Sequence, residues 1–539
     1  MKNFFNQKEI FLFFTGLAIV NCLLAIWAYY DHSLPVYDTA CHILSGFSVC
    51  DLLKHAHPGS FDWWKSLMTV NPLYPPFVYL VYGVLKLLLG PQHWVDLLVH
   101  QIFACILYSS MYGLGRLIFK DHIIALLSGL IIFVYSTVFT LAHYDLLDLP
   151  GLAMVAFTLF CVACWQEKPS LRTSILLGSA FALASLTKNN CIAFLIPPLL
   201  YVFGFCLYSR AWNKLNVLIL AGFTSLVILL PWLILACPLM IKTISESEYR
   251  NVEYSSTFFD RLSCYLFHIP EIHSYFLSII FVFALFICTK IFHRRMLFLW
   301  CSAVGGIFIS AFFNWPPLVR YVLPVTILSA LYCALAFKLC WSSPIMRPLS
   351  ILSIIVVSFA FIENNFTPYP LPRIKLPEPV ESFLGISCAR EGKSIAAGGI
   401  SVYPSPANDL GTTWVLNTIK QNQENTQPNL TILPDTEEVS LSTYLYLIKQ
   451  NGLNINATTL QYYVPAGAKV SPDIALKTNW CLLSIQNIPS SLPRSLKEEN
   501  SKTYDLCCNF IQSSKHFKLV GSLTLPSGSK LELYKNLSH

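Results

Sequence analysis

From near the N-terminus to Ile362 the chain is a succession of apolar runs broken only by short polar stretches. A run of about 17 to 25 such residues can cross a bilayer. Runs of that kind fall at roughly 10–30, 94–115, 123–142, 149–165, 173–187, 191–208, 216–236, 273–291, 296–313, 318–338 and 348–362. Composition agrees. Of 539 residues, 55% are hydrophobic and 12% charged, about half the charge of a soluble globular protein. A chain this apolar would not stay solvated, which excludes disorder. The first run follows Lys2 and Lys8 with no small-residue cleavage site behind it and reads as an uncleaved anchor. The expected class is a mainly α polytopic membrane protein with about eleven spans.

Charge is divided unevenly. Met1 to Ile362 holds 21 Lys and Arg against 15 Asp and Glu, whereas Glu363 to His539 holds 15 against 14. The surplus sits in the membrane part, where a positive-inside bias belongs. The stretch Pro72 to Gly90 is long enough to cross but carries Pro72, Pro75, Pro76 and Lys86. If it lies in the interface or re-enters, one face collects thirteen basic residues, including Arg116, Lys120, Arg210, Lys290, Arg294, Arg295 and Arg347. The acids on that face are then Glu9, Asp121 and Glu167. This arrangement puts the N-terminus inside and the C-terminal part outside. Two long loops, about 31–93 and 237–272, then lie on the outer face with Asp38, Asp145, Asp148, Glu248 and Glu253. Long connections are more often functional than incidental.

The expected organisation is a membrane domain over 1–362, a stiff proline-rich linker over 363–380 and an extracytoplasmic α/β domain over 381–539. In the last, Ser394–Tyr403, Asn429–Leu433, Thr459–Val464 and Trp480–Ile485 read as strands. Thr412–Gln421 and Leu441–Asn451 read as helices, and Lys518–Leu525 with Lys530–Tyr534 as a closing hairpin. It has no glycine-rich phosphate loop and no zinc-type cysteine spacing. Most of the 18 cysteines fall within apolar runs, where Cys acts as a small hydrophobe. Cys41, Cys50, Cys264, Cys388, Cys481, Cys507 and Cys508 face the outside and could pair in an oxidising compartment.

Four outer features could carry chemistry. Asp38, just after the first span, is either the N-cap of a helix starting at Thr39 or a carboxylate at the membrane surface suited to taking a proton from a hydroxyl. His42 lies one turn further on. Asp145 and Asp148 have the i, i+3 spacing that puts two carboxylates on one helical face. Capping of the span that begins near Pro150 explains one acid more easily than two. Lys188 stands at the outer end of the fifth span, where a cation runs against the positive-inside trend. Snorkelling is the bland reading and phosphate binding the sharper one. Arg320, at the start of the tenth span, makes the same case, since a guanidinium can grip phosphate with two parallel hydrogen bonds.

Taken in order, these segments resemble the GT-C superfamily of polyprenyl-phosphate-sugar glycosyltransferases, nearest to protein O-mannosyltransferases and the lipid A aminoarabinose transferase. The matching pieces begin with Tyr37-Asp38-Thr-Ala-Cys-His42, Asn71-Pro-Leu-Tyr-Pro-Pro76 and Asp145-Leu-Leu-Asp-Leu-Pro150. Ser185-Leu-Thr-Lys188, Pro231-Trp232 and Arg320-Tyr-Val-Leu-Pro324 follow. The resemblance covers about residues 8–345 and, more weakly, the tail. It implies a lipid-phosphate-linked sugar donor and inverting transfer to an acceptor hydroxyl on a protein, lipid or glycan. Asp38 would be the general base, and Asp148 or Asp145 a second essential acid. Lys188 and Arg320 would hold the donor phosphate, with Tyr321, His42 and Tyr74 also meeting substrate. No nucleotide is implied, and a divalent metal is left open: where relatives have an acid and a tyrosine in the first loop this chain has Thr39 and His42, and Asn71 replaces a histidine. A bacterial inner membrane is the implied location. The competing readings are a secondary transporter or flippase of an anionic or lipid-linked substrate, and an inactive homologue. Ionisable residues gathered at one face, without repeated halves, weigh against a transporter.

Overall fold

The computed structural model describes residues 7–246, 257–288, 296–313, 318–367 and 369–384. Beyond these it describes 393–394, 400–401, 404, 410–422, 427–433, 439–459, 476–485, 505–525 and 528–538. Glu248, Glu253, Lys290, Arg294, Arg295, Cys388, Tyr403, 460–464 and the Pro526-Ser527 turn lie outside the described residues. The described parts group into two compact units. One is drawn from Met1–His32, Ser48–Glu246 and Ser255–Pro406, the other from Ser33–Phe47 and Ala407–His539.

In their described residues all eleven apolar runs are mainly helical. In chain order the helices are α1 (Gln7–Tyr30), α2 (Tyr37–Lys54), α3 (Phe61–Met68), α4 (Phe77–Leu89), α5 (His93–Phe119), α6 (His122–Val134), α7 (Ser136–Ala142), α8 (Asp148–Glu167), α9 (Leu171–Ser185) and α10 (Cys191–Tyr208). They continue with α11 (Trp212–Leu235), α12 (Cys237–Glu246), α13 (Phe258–His273), α14 (Tyr275–Cys288), α15 (Leu297–Phe313), α16 (Val325–Ser342), α17 (Arg347–Asn365) and α18 (Glu378–Leu384). Among the described residues, seven are long and apolar enough to span alone: α1, α5, α8, α10, α11, α16 and α17. The number rises to nine if the bent pairs α6/α7 (78°) and α13/α14 (97°) each make one span. The remaining difference from eleven lies in α9 and α15, with 15 and 17 residues. The Pro72–Gly90 stretch becomes the 13-residue α4, at 1.5 Å per residue too short to cross.

Local sequence explains several boundaries. Asp121 caps α6 by accepting from the Ile123 and Ile124 amides at 2.7 and 3.0 Å. Ser170 and Thr173 form a capping box at the start of α9, and Thr257 and Asp260 another at α13. The bundle is built around α8, of whose apolar window 83% is buried, against 17% for α11. Gly178 lets α9 touch α11: a Cβ there would lie 2.3 Å from the Ala221 carbonyl oxygen.

In the second unit, α19 (Thr412–Gln421) and α20 (Leu441–Gln450) accompany a five-stranded sheet. Its strands are β3 (Asn429–Leu433), β4 (Asn456–Thr459), β5 (Trp480–Ile485), β6 (Phe517–Thr524) and β7 (Lys530–Asn536), in the order β4-β3-β5-β7-β6. β4, β3 and β5 run parallel, while β7 and β6 are antiparallel additions. The path from β3 through α20 to β4 is the crossover that parallel neighbours require. Two expected strands differ. Ser394–Tyr403 resolves in its described part into two short antiparallel strands, β1 (Lys393–Ser394) and β2 (Ile400–Ser401), in the first unit. The strand expected at Thr459 begins earlier, at Asn456, where it pairs with Asn429. Among the described residues Cys50, Cys481 and Cys507 are free thiols.

Candidate active site

The tight turn between α9 and α10 is closed by the Lys188 amide donating to the Ala184 carbonyl at 3.3 Å and the Cys191 amide to the Lys188 carbonyl at 3.1 Å. It delivers Lys188 to the first turn of α8. There its Nζ meets Asp148 Oδ1 at 2.5 Å, with both side chains buried. The residue before α8, Leu147, makes no side-chain cap, so neither Asp145 nor Asp148 serves as the cap that sequence reasoning allowed for one of them. Asp148 is instead the counterion of Lys188. On its other side the ammonium lies over the Tyr321 ring, 5.0 Å from the centroid. The Arg320 guanidinium carbon is 6.0 Å from the same centroid. Asn190 ties the two segments together, its Nδ2 donating to the Tyr321 carbonyl at 3.3 Å. Val319–Val322 form a 3-10 turn before α16 rather than the start of a span, and that turn presents Arg320 and Tyr321. Burial pulls the Lys188 ammonium below its ordinary range, Asp148 opposes this, and the nearby Arg320 charge adds to it.

Asp145 has a separate environment. It precedes α8 in non-helical chain, so the expected shared helical face for Asp145 and Asp148 does not form. The Tyr82 hydroxyl of α4 donates to Asp145 Oδ1 at 2.7 Å. His100 Nε2 of α5 lies 3.0 Å from the Tyr82 oxygen and 3.5 Å from Asp145 Oδ1. The phenol has one proton and gives it to the carboxylate, so His100 must donate from Nε2 to Tyr82. Burial raises the Asp145 carboxyl above the usual range, against the Tyr82 hydrogen bond and the Lys86 charge. Nearby, Lys86 and Asp96 form a buried pair at 2.5 Å across the α4–α5 turn.

Helix α4 thus braces both turns. Its Tyr82 holds Asp145, and its first amide, Phe77, donates to the Leu186 carbonyl at 3.0 Å, two residues from Lys188. Asn189 Nδ2 donates to the Leu73 carbonyl at 3.1 Å. Asn71 accepts from the Leu73 and Tyr74 amides at 3.0 and 3.2 Å and so folds the turn that holds half-buried Tyr74. Sequence reasoning missed Tyr82, His100 and Asp96. The available signal was Lys86 and Asp96, opposite charges flanking Gly90-Pro91 inside an apolar stretch.

Asp38 and His42 belong to the second unit. Helix α2 begins at Tyr37, which puts Asp38 in its first turn. The Asp38 side chain is exposed, not desolvated, while His42 is buried. Tyr37 has a φ of 46°, in the left-handed region that a bulky residue occupies only under constraint.

The first unit therefore brings a lysine, an arginine and a tyrosine together over Asp148, an arrangement suited to an anionic oxygen such as a phosphate. Among the described residues no three His, Cys, Asp or Glu side chains are grouped to hold a metal ion.

Residues 74–235 match the family model described as dolichyl-phosphate-mannose-protein mannosyltransferase. That segment contains Tyr74, Tyr82, Asp145, Asp148 and Lys188. No curated protein matches the sequence. Among solved structures, the chain is similar to ArnT from Cupriavidus metallidurans in the apo state (15% identity, TM-score 0.59, 97% of each chain). It is similar to the same enzyme bound to undecaprenyl phosphate (15% identity, TM-score 0.57, 97% of each chain). An oligosaccharyltransferase from Archaeoglobus fulgidus is more distant, at 11% identity and TM-score 0.52, over 88% of this chain and 68% of that one. With its multiple apolar helices the chain is an integral multi-pass membrane protein that shares the fold of these structures, and one segment of it matches the mannosyltransferase family model.

Proposed function

We propose that the protein moves a sugar from a polyprenyl-phosphate donor to an acceptor hydroxyl on the outer face of a bacterial inner membrane. In this reading the N-terminus is cytoplasmic and the C-terminal domain periplasmic. The observation that carries it is the meeting of Lys188, Arg320 and Tyr321 beside Asp148; Lys188 and Asp148 lie within the stretch that matches the mannosyltransferase family. A structural neighbour of the same fold was solved with undecaprenyl phosphate bound.

In the reaction an acceptor oxygen attacks the anomeric carbon from the face opposite the phosphate. The carbon–oxygen bond to phosphate breaks and its electron pair leaves on the phosphate oxygen, so the configuration inverts. Asp38, exposed on α2, takes the acceptor's proton and later returns it to solvent. Lys188 and Arg320 hold the donor phosphate and stabilise the negative charge that grows on it. Asp148 keeps Lys188 in place, and Asp145, fixed by Tyr82, completes the acidic side of the site. His42 and Tyr74 serve as further substrate-binding residues. A divalent metal does not fit the Asp145 and Asp148 donor set, because one carboxylate already faces an ammonium at 2.5 Å and the other a phenol at 2.7 Å.

The test is transfer from a panel of radiolabelled polyprenyl-phosphate sugars by the purified protein, with cell-envelope extract as acceptor and Asp38→Asn in parallel. Transfer from one donor, abolished by the substitution in a folded protein, is the expected result. Transfer that survives would remove Asp38 as base. Silence of the wild type across the panel would overturn the reading.

A further inference from the structure

The strained start of α2 has a visible support in its own unit. Thr443, in the first turn of α20, donates from Oγ1 to the Pro35 carbonyl at 2.8 Å, and the bond is buried. Pro35 is two residues before the left-handed Tyr37 and three before Asp38. One helix length further on, Phe47 of α2 meets Tyr446 of α20, ring centroids 6.4 Å apart, with both rings buried. Between these anchors Thr39, Ala40, His42 and Ile43 are buried, while Asp38 is exposed. Ser33–Phe47 belongs to the same compact unit as the C-terminal residues from Ala407 onward.

A left-handed φ at a non-glycine residue is strained and persists only where its surroundings over-determine it. The Thr39 amide, donating to the Val36 carbonyl at 3.1 Å, closes the turn from within. Thr443 holds it from outside. We propose that α20 of the C-terminal domain is a clamp on the outer loop, with Thr443 and Tyr446 as positioning residues that set where Asp38 stands. The proposal rests on the role given to Asp38 above and adds to it a task for the C-terminal domain. Neither residue touches the reacting atoms. Thr443 acts through the Pro35 carbonyl and the Tyr37 turn, and Tyr446 through Phe47.

The test uses the full-length protein in nanodiscs as wild type, Thr443→Val and Thr443→Ser. Valine keeps the branched shape without the donor, and serine keeps the donor. Two readouts are taken, hydrogen exchange of peptides covering 33–47 and steady-state transfer. Thr443→Val should exchange faster at 33–47 while peptides from α5 and α8 stay unchanged. Its kcat should fall roughly tenfold, with donor KM held within about twofold, because the donor phosphate is gripped elsewhere. Thr443→Ser should behave as wild type on both counts. Unchanged exchange at 33–47 in the valine variant would overturn the proposal, and so would faster exchange with an unchanged kcat. Equal losses in both variants, with exchange rising throughout the C-terminal domain, would overturn it as well by showing a merely structural role. If the wild type transfers no sugar, the glycosyltransferase reading fails on its own, and exchange at 33–47 still decides whether α20 holds the loop.

Discussion

Lys188 Nζ stands 2.5 Å from Asp148 Oδ1, and both side chains are buried in a helical bundle read as spanning a membrane. Removing one partner of such a pair leaves an uncompensated charge and costs about 3–5 kcal/mol, whereas replacing both with apolar groups can be nearly neutral. Lys188→Met should therefore destabilise the detergent-solubilised protein strongly in a thermal unfolding assay. The double variant Lys188→Met/Asp148→Leu should recover most of that loss. Transfer should remain absent in both, since neither can hold the donor phosphate. A single variant as stable as wild type would show that the pair is not the resident counterion arrangement described above.

Asp145 predicts a pH dependence. Its folded carboxyl lies above the ordinary carboxylate value, first through burial, with the Tyr82 hydroxyl pulling it back. The groups facing it are Asp31 at the end of α1, Lys86 and Tyr82 from α4, and His100 from α5. A raised carboxyl means that the folded state holds more protons than the unfolded one, so stability falls as pH rises from the ordinary value through the folded one. Tyr82→Phe removes the donor and should raise the carboxyl further. Its stability deficit relative to wild type should be small at pH 4 and grow towards pH 8. If Asp145 acts as an anion, the acid limb of kcat should move to higher pH. A deficit equal at every pH would show that Tyr82 merely packs.

How much of this was legible in sequence depends on the range of each signal. Hydropathy is local, so the apolar runs could be placed, and their described residues are mainly helical. Lys188, Asp148 and Arg320 stood out because a charge at the rim of an apolar run is anomalous by itself. Tyr82 and His100 were not legible. Tyrosine and histidine are unexceptional in helices, and what distinguishes these two is that α4 and α5 bring them to one oxygen of Asp145. The bend after Val134 is likewise invisible, because Ser136–Ala142 continues the same apolar composition at 78° to α6. Asp38 was found for its place after the first span. The chain's own support for it, Thr443, is over four hundred residues away.

Arg320 should matter for the donor rather than for folding. It is half-buried on a 3-10 turn, beside the aromatic ring that also receives Lys188. A hydrogen bond to a charged group contributes about 1.5–3 kcal/mol, so Arg320→Ala should lower kcat/KM for the lipid-linked sugar by roughly ten- to a hundredfold. Arg320→Lys should recover only part, because an ammonium cannot reproduce a two-pronged grip on phosphate. Steady-state kinetics over a donor titration checks this. An alanine variant with unchanged kcat/KM would remove Arg320 from the phosphate site.

Gly83 sits beside Tyr82 on α4 and faces the later half of α2. A Cβ added there would fall 2.4 Å from Val49 Cγ1 and 3.0 Å from the Cys50 backbone nitrogen. The first neighbour is a stiff β-branched side chain and the second is backbone, so neither yields cheaply. Overpacking of this kind costs about 1–3 kcal/mol, and the strain is relieved by shifting α4, which carries Tyr82 and bonds the Lys188 turn through Phe77. Gly83→Ala should therefore lower the unfolding temperature and reduce transfer together. Gly59→Ala is the control: nothing lies within 4 Å of a Cβ at that position, so its effect should stay within about 0.5 kcal/mol. If Gly83→Ala proved as stable and as active as Gly59→Ala, the close packing of α2 on α4 would not be what holds the Tyr82–Asp145 contact in place.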